Sequence, residues 1–222
     1  MLAEPAQSLT DLLLGLVAVA LALQLHRSPG IHRHWRSAFA WFGIAALAGA
    51  VHHGVIARWP GAAEVSWAAI SVVVVVAVSY LLAATVAEVL GPGRARAFWM
   101  LRSVGLAAYV AMAASGRAGI GAILACESLT MLSVLALWVW AAYRRHPLGR
   151  AMLVAIGASV AAAVVKVPDA GFLRPMGLDP DSTYHLAQIA GLALLFVAIT
   201  GAAREGAGAW HGHLQHDAAG GR

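Results

Sequence analysis

Two histidines, His52 and His53, close one apolar stretch of this 222-residue chain, and Tyr184, His185 and Gln188 open the last one. Asp11 lies early in the first stretch, Glu127 inside the fifth, and Lys166 and Asp169 late in the sixth, with Asp181 just ahead of Tyr184. Nearly everything around them is Ala, Leu, Val or Gly, and ionisable groups in such surroundings are costly enough to mark functional sites by default. Imidazole and carboxylate together are the donor set of a metal centre. A hydrolytic zinc site takes roughly three such ligands and keeps one position for water, whose pKa it lowers to about 7. His53, His185 and Asp181 can supply the ligands. His52 is the alternative to His53, since neighbours on a helix point about 100° apart and one of the two faces a site. Asp181 and His185, four apart, share a helix face if the helix reaches back that far. Asp11 or Glu127 then acts as acid/base or as an orienting partner. Without metal, the same groups with Lys166 and Asp169 make a protonation or ligand site of the kind used by transporters and sensors.

Such a site needs elements to hold it, and the composition says which. The chain is 61% hydrophobic and 11% charged, with mean hydropathy +0.76. An average soluble domain carries about 25% charged residues, so a water-exposed surface cannot be clothed. A formal charge of +5 and a pI near 10.1 would suggest nucleic acid in a soluble protein. Here the arginines cluster between apolar runs, no zinc-finger spacing or basic aromatic helix occurs, and Gly91-Pro92-Gly93 is loop punctuation, so no nucleic-acid partner is expected. Cys126 is the only cysteine, which excludes an intramolecular disulfide; within an apolar run it reads as an inert buried thiol.

A window of about 20 residues, enough to cross roughly 30 Å of hydrocarbon, predicts seven helical spans near 9–26, 36–57, 66–90, 96–115, 119–142, 150–171 and 183–203. No period-2 alternation supports a membrane barrel. The fold class is therefore all-α, a polytopic seven-helix transmembrane bundle over residues 1–205, followed by a disordered cytoplasmic tail, 206–222, containing His211, His213 and His216. The amino terminus lacks the positive start of a cleavable signal, so the first run reads as a retained span. Arg27, Arg33 and Arg36, then Arg94 and Arg96, then Arg144, Arg145 and Arg150 crowd alternate connections. The positive-inside rule puts these in the cytoplasm, with the amino terminus outside and the carboxyl terminus inside. Trp35, Trp41, Trp59, Trp67, Trp99, Trp138 and Trp140 fall mostly near span ends, as interfacial anchors do.

With helix directions assigned, Asp11, His52, His53, Lys166, Asp169, Asp181, Tyr184, His185 and Gln188 share one outer layer. Glu127, some 12 Å deep at 1.5 Å per residue, forms its floor. Plainer readings stand beside these. Asp11 can sit in a first helical turn near an exposed cap, Lys166 and Asp169 can form an ordinary ion pair, and Asp181 can be a solvated loop acid.

In its span layout, in His53 or His52 late in the second helix and in His185 opening the seventh, the chain resembles the seven-helix superfamily of alkaline ceramidases, progestin and adiponectin receptors and Per1-like proteins. That resemblance implies a metal-dependent membrane hydrolase with zinc on a second-helix histidine and an H-x-x-x-H pair in the seventh. Here the pair is Asp181-x-x-x-His185, position 189 is Ile, and Gly49 stands four residues before His53 where the superfamily usually has serine. Tyr184-His185-Leu186-Ala187-Gln188 also resembles uncharacterised bacterial seven-helix proteins, which implies a bacterial inner membrane. The expectation is a membrane-embedded zinc-dependent hydrolase acting on a lipid amide or ester; the alternative is a small-solute or proton transporter, or a ligand sensor, using the same layer without metal.

Overall fold

The computed structural model describes residues 2–117, 119–165 and 180–219, with side chains described outside 120, 162–165, 180–181 and 202–219. Within them every regular element is a helix, and no strand occurs among the described residues. The helices are α1 (Pro5–Arg27), α2 (Arg33–Gly54), α3 (Pro60–Val89), α4 (Ala95–Ala114), α5 (Ile120–Tyr143), α6 (Gly149–Val165) and α7 (Pro180–Ala219), with one 3-10 turn at Ile56–Arg58. Pro5 and Pro60 each stand in a first turn, where a missing N–H costs nothing. The narrow break between the fourth and fifth runs is a true helix end. Gly116 takes φ +76°, and Arg117 N–H donates to Met112 O at 2.9 Å, closing α4 with a left-handed cap that favours glycine.

Five segments are long and apolar enough to cross a membrane: Pro5–Arg27, Pro60–Val89, Ala95–Ala114, Gly121–Tyr143 and Ser182–Gly201. Gly149–Ala161 is a shorter apolar helix. The exterior matches, for Leu9, Val65, Met100, Val110 and Val197 are each more than half exposed, a surface suited to lipid. The backbone of α7 stays helical to Ala219, through residues whose composition reads as a disordered tail; alanine, frequent there, is the strongest helix former.

Packing runs from α1 to α2, α3, α5, α6, α7 and back to α1, while α4 leans from outside on α5 and α3. The α1–α2 seam is the closest. A Cβ on Gly15 would meet Leu47 Cγ at 2.7 Å, and one on Gly43 would meet Val19 Cγ2 at 2.7 Å; small residues let helices approach this way in lipid. The two ends of the bundle differ. Leu25, Trp35, Phe39, Leu82, Trp138, Met152 and Ile199 form one buried cluster near the ends of α1, α3 and α5, the starts of α2 and α6 and the middle of α7. Trp35 and Trp138, at 1% and 0% exposure, are thus core residues rather than interfacial anchors. Trp138 Nε1–H finds Thr85 Oγ1 at 3.2 Å, the partner a buried indole requires. Trp59, Trp99 and Trp140 are exposed, as anchors should be.

Candidate functional site

The opposite end of the bundle is polar, and the chain ahead of α1 builds it. Ala3 N–H donates to Gly54 O at 3.0 Å and Glu4 N–H to His53 O at 2.9 Å, satisfying carbonyls that the end of α2 would otherwise leave orphaned. Ser8 Oγ–H donates to Ala50 O at 2.9 Å. These bonds fix the register of α1 on α2 and set Glu4 and Asp11 against the last turns of α2.

Asp11 is the centre. It is buried at 6% exposure. Its Oδ2 lies 3.9 Å from His53 Nε2 and its Oδ1 3.4 Å from His185 Nε2. The far nitrogen of each ring is held as well. His53 Nδ1 meets the Glu4 carboxylate in a short contact. His185 Nδ1 lies 3.1 Å from Thr10 Oγ1. The Thr10 hydroxyl gives its proton to the carbonyls of Ala6 and Gln7, at 3.0 and 3.1 Å, so it accepts from His185 Nδ1–H. Glu4, an acceptor when ionised, likewise takes the proton of His53 Nδ1. Both imidazoles direct Nε2 at the Asp11 carboxylate. A buried carboxylate flanked by two imidazole nitrogens favours positive charge, whether carried by a protonated ring, an ammonium or a metal ion.

Gly49 makes room for this. A Cβ there would lie 2.4 Å from Asp11 Oδ2, so the side chain that would stand four residues before His53 is excluded by the carboxylate of α1.

Of the other predicted residues, His52 turns away. It is 2% exposed, its ring packs at a tilt against Trp67 of α3 at 4.6 Å, and its Nδ1 has no hydrogen bond among the described residues. The roughly 100° between adjacent helical positions brings His53 to Asp11 of α1 and sets His52 closer to Trp67 of α3. Gln188 Nε2–H donates to Tyr184 Oη at 2.6 Å, a pairing within α7, and the Tyr184 ring lies 5.8 Å from that of His185. Lys166 and Asp169 lie outside the described residues, as does the side chain of Asp181.

Glu127 is no floor to this layer. Arg102 of α4 donates through Nη2 to Glu127 Oε1 at 3.0 Å and through Nη1 to Thr130 Oγ1 at 2.5 Å, with Cys126 Sγ at 3.6 Å. The pair belongs to the α4–α5 seam, where a Cβ on Gly105 would meet Cys126 O at 2.5 Å. Sequence reading by loop charge passes over Arg102; a lone arginine inside one apolar run, facing a lone glutamate in the next, was the available signal. Glu4 and Thr10 were less legible, because their roles depend on which α2 and α7 side chains come to meet them.

Among the described residues no three His, Cys, Asp or Glu side chains stand as a closed metal-binding group; Asp11 meets the two histidines separately, through opposite oxygens. Ligand atoms about 2.0–2.1 Å from a tetrahedral zinc stand roughly 3.3–3.4 Å apart. The Asp11–His185 and Asp11–His53 separations are 3.4 and 3.9 Å, but they end on different carboxylate oxygens and so do not form two edges of one coordination shell.

No curated protein and no solved structure matches the chain. A profile described as "Family of unknown function (DUF6962)" matches residues 6–204, and the chain belongs to that family.

Proposed function

We propose that this is a seven-span membrane protein, amino terminus outside and carboxyl terminus inside, whose outer polar site holds a divalent metal, zinc by its nitrogen and oxygen donors, and acts on a lipid ester or amide. The observation that carries the metal reading is the orientation of the two imidazoles. Each has Nδ1 tied to an acceptor, Glu4 or Thr10, and each directs Nε2 at Asp11. Tying the distal nitrogen is how metal-binding histidines are fixed in tautomer and direction.

Asp11, His53 and His185 would hold the ion, so Asp11 moves from the acid/base role to a ligand. When bound, such an ion polarises a carbonyl oxygen and lowers the pKa of water. Glu4, with a side chain 45% exposed, is placed to pass protons between His53 and solvent. The arginine-rich connections at the aromatic end of the bundle support the orientation. The bacterial inner membrane is the compartment that the sequence resemblance favours.

Elemental analysis of the detergent-purified chain tests this, together with His53→Ala and His185→Ala. Stoichiometric zinc lost in both variants supports the reading; a folded, metal-free wild type overturns it. Gly49 supplies a further check. Gly49→Ala displaces the Asp11 carboxylate and is expected to weaken zinc retention at least tenfold in a chelator competition. Gly61→Ala, whose Cβ meets nothing within 4 Å, leaves retention unchanged.

A second reading has its own observation. Glu4, His53, Asp11 and His185 alternate carboxylate and imidazole from an exposed end to a buried one, the composition of a proton relay. A metal-free chain whose thermal stability follows pH, with the response lost in Glu4→Gln and Asp11→Asn, would select the relay.

A further inference from the structure

On the outer face of the α1–α2 seam, at the end of the bundle away from Asp11, lies a groove of about 450 Å³. Val19, Leu23, Ala40 and Ile44 make its apolar length, and His26, Arg36 and Ser37 gather at one end. From Arg36 to Ile44 is eight residues, about 12 Å along the helix, which keeps the groove within one leaflet of a bilayer roughly 30 Å thick. Leu23 and Ile44 are 56% and 43% exposed, so the apolar length opens toward the surrounding hydrocarbon.

The polar end is distinctive. Arg36 Nη2–H donates to Ile31 O at 3.1 Å, which pins the guanidinium. Its Nε–H is buried and has no acceptor among the described residues. That nitrogen is out of reach of a ligand in the groove, so a phosphate would meet the outer guanidinium nitrogens, whose planar fork suits its oxygens. Arg27 and Arg33 add positive charge beside it. An apolar groove ending in an arginine, a histidine and a hydroxyl has the charge and shape of one molecule class present in every such membrane.

We infer that the α1–α2 groove binds an anionic phospholipid, with its phosphate on Arg36, His26 and Ser37 and an acyl chain along Leu23 and Ile44. Basic pockets between helices on the cytoplasmic side bind acidic headgroups in this way. The site rests on the membrane reading alone and is independent of the metal centre.

The test uses the full chain in nanodiscs of phosphatidylcholine with or without phosphatidylglycerol, followed by detergent release and native mass spectrometry. The wild type is expected to keep about one phosphatidylglycerol and to lose phosphatidylcholine. Arg36→Gln is expected to lower that retention at least tenfold, while Arg94→Gln/Arg96→Gln, which removes equal or greater charge from another loop, leaves it unchanged. Ala40→Trp, which fills the groove and keeps Arg36, is expected to release the lipid as well. This variant stands in if Arg36→Gln misfolds. Equal retention in Arg36→Gln and Ala40→Trp overturns the proposal, and so does equal loss in the Arg94/Arg96 variant. Crosslinking of Ile44→Cys to a second chain, with no lipid retained, assigns the groove to self-association and also overturns it. Alkaline extraction of the source membranes tests the membrane reading separately: a chain released by it refutes that reading, whereas a retained chain lacking the lipid refutes only the groove.

Discussion

Asp11→Asn is expected to abolish the zinc retention proposed above, from about one ion per chain to less than a tenth, while leaving the helical content intact. Two features of the site make this the largest functional effect. Asp11 contacts both imidazoles, so its loss removes the bridge between His53 of α2 and His185 of α7. Asparagine also removes the negative charge that offsets a divalent cation, and in a low-dielectric setting an uncompensated charge is far more costly than in water. Size is preserved, so the clearance over Gly49 and the α1–α2 seam stay as they are. His52→Ala is the control, because that ring packs at a tilt against Trp67, and it should leave zinc retention unchanged. Thr10→Val tests the orienting bond to His185 Nδ1; loss of such a partner typically weakens metal binding 10–100-fold. Inductively coupled plasma measurements and chelator competition on the purified variants read all three. Unaltered zinc in Asp11→Asn would refute the ligand assignment.

Removing one member of the buried ion pair between α4 and α5 should have the largest effect on stability. Arg102 is 2% exposed and Glu127 8%. Arg102→Leu takes the counter-ion from the buried Glu127 carboxyl, and Glu127 Oε2 already accepts no hydrogen bond among the described residues. Breaking such a pair costs about 3–5 kcal/mol. Arg102→Leu/Glu127→Leu is expected to recover most of that loss, since a buried pair replaced by apolar groups of similar volume is often neutral or better. Reversible unfolding in mixed micelles measures both. If α4 is clamped by this pair, protease cleavage in the connections at 90–94 and 115–119 should rise in the single variant and fall back in the double one. A single variant as stable as the wild type would show the pair to be ornamental.

Much of the fold could be read directly because the physics behind it is local. Apolar run length, helix-ending glycines and loop arginines depend on residues near one another in the chain, and they identify an all-helical bundle with lipid-compatible surfaces. Helix direction also follows from the order of the runs. That places Asp11 early in α1, His53 late in α2 and His185 early in α7 at one end, before any contact is known. The tryptophans show the limit of such reading. Trp35 and Trp138 stand near helix ends as Trp59 and Trp140 do, yet Trp35 and Trp138 are core residues. Position along a helix does not say which way a side chain faces.

Facing is a property of three dimensions, and it decided the site. His52 and His53 are equivalent in composition and depth; only the angle at which α2 meets α1 and α3 separates them. Glu127 is deep by its position, but whether it serves a polar layer or a neighbouring helix depends on α4 lying against α5, where Arg102 answers it. Asp11 could be a first-turn acid by sequence. It becomes the centre of the site because Gly49, by lacking a Cβ, leaves space for its carboxylate. The chain by itself determined that a membrane bundle would carry acids and imidazoles at one end. Tertiary packing decided which of them meet, because charges and hydrogen bonds act over a few ångströms and those distances are set by residues from 25 to 175 positions apart.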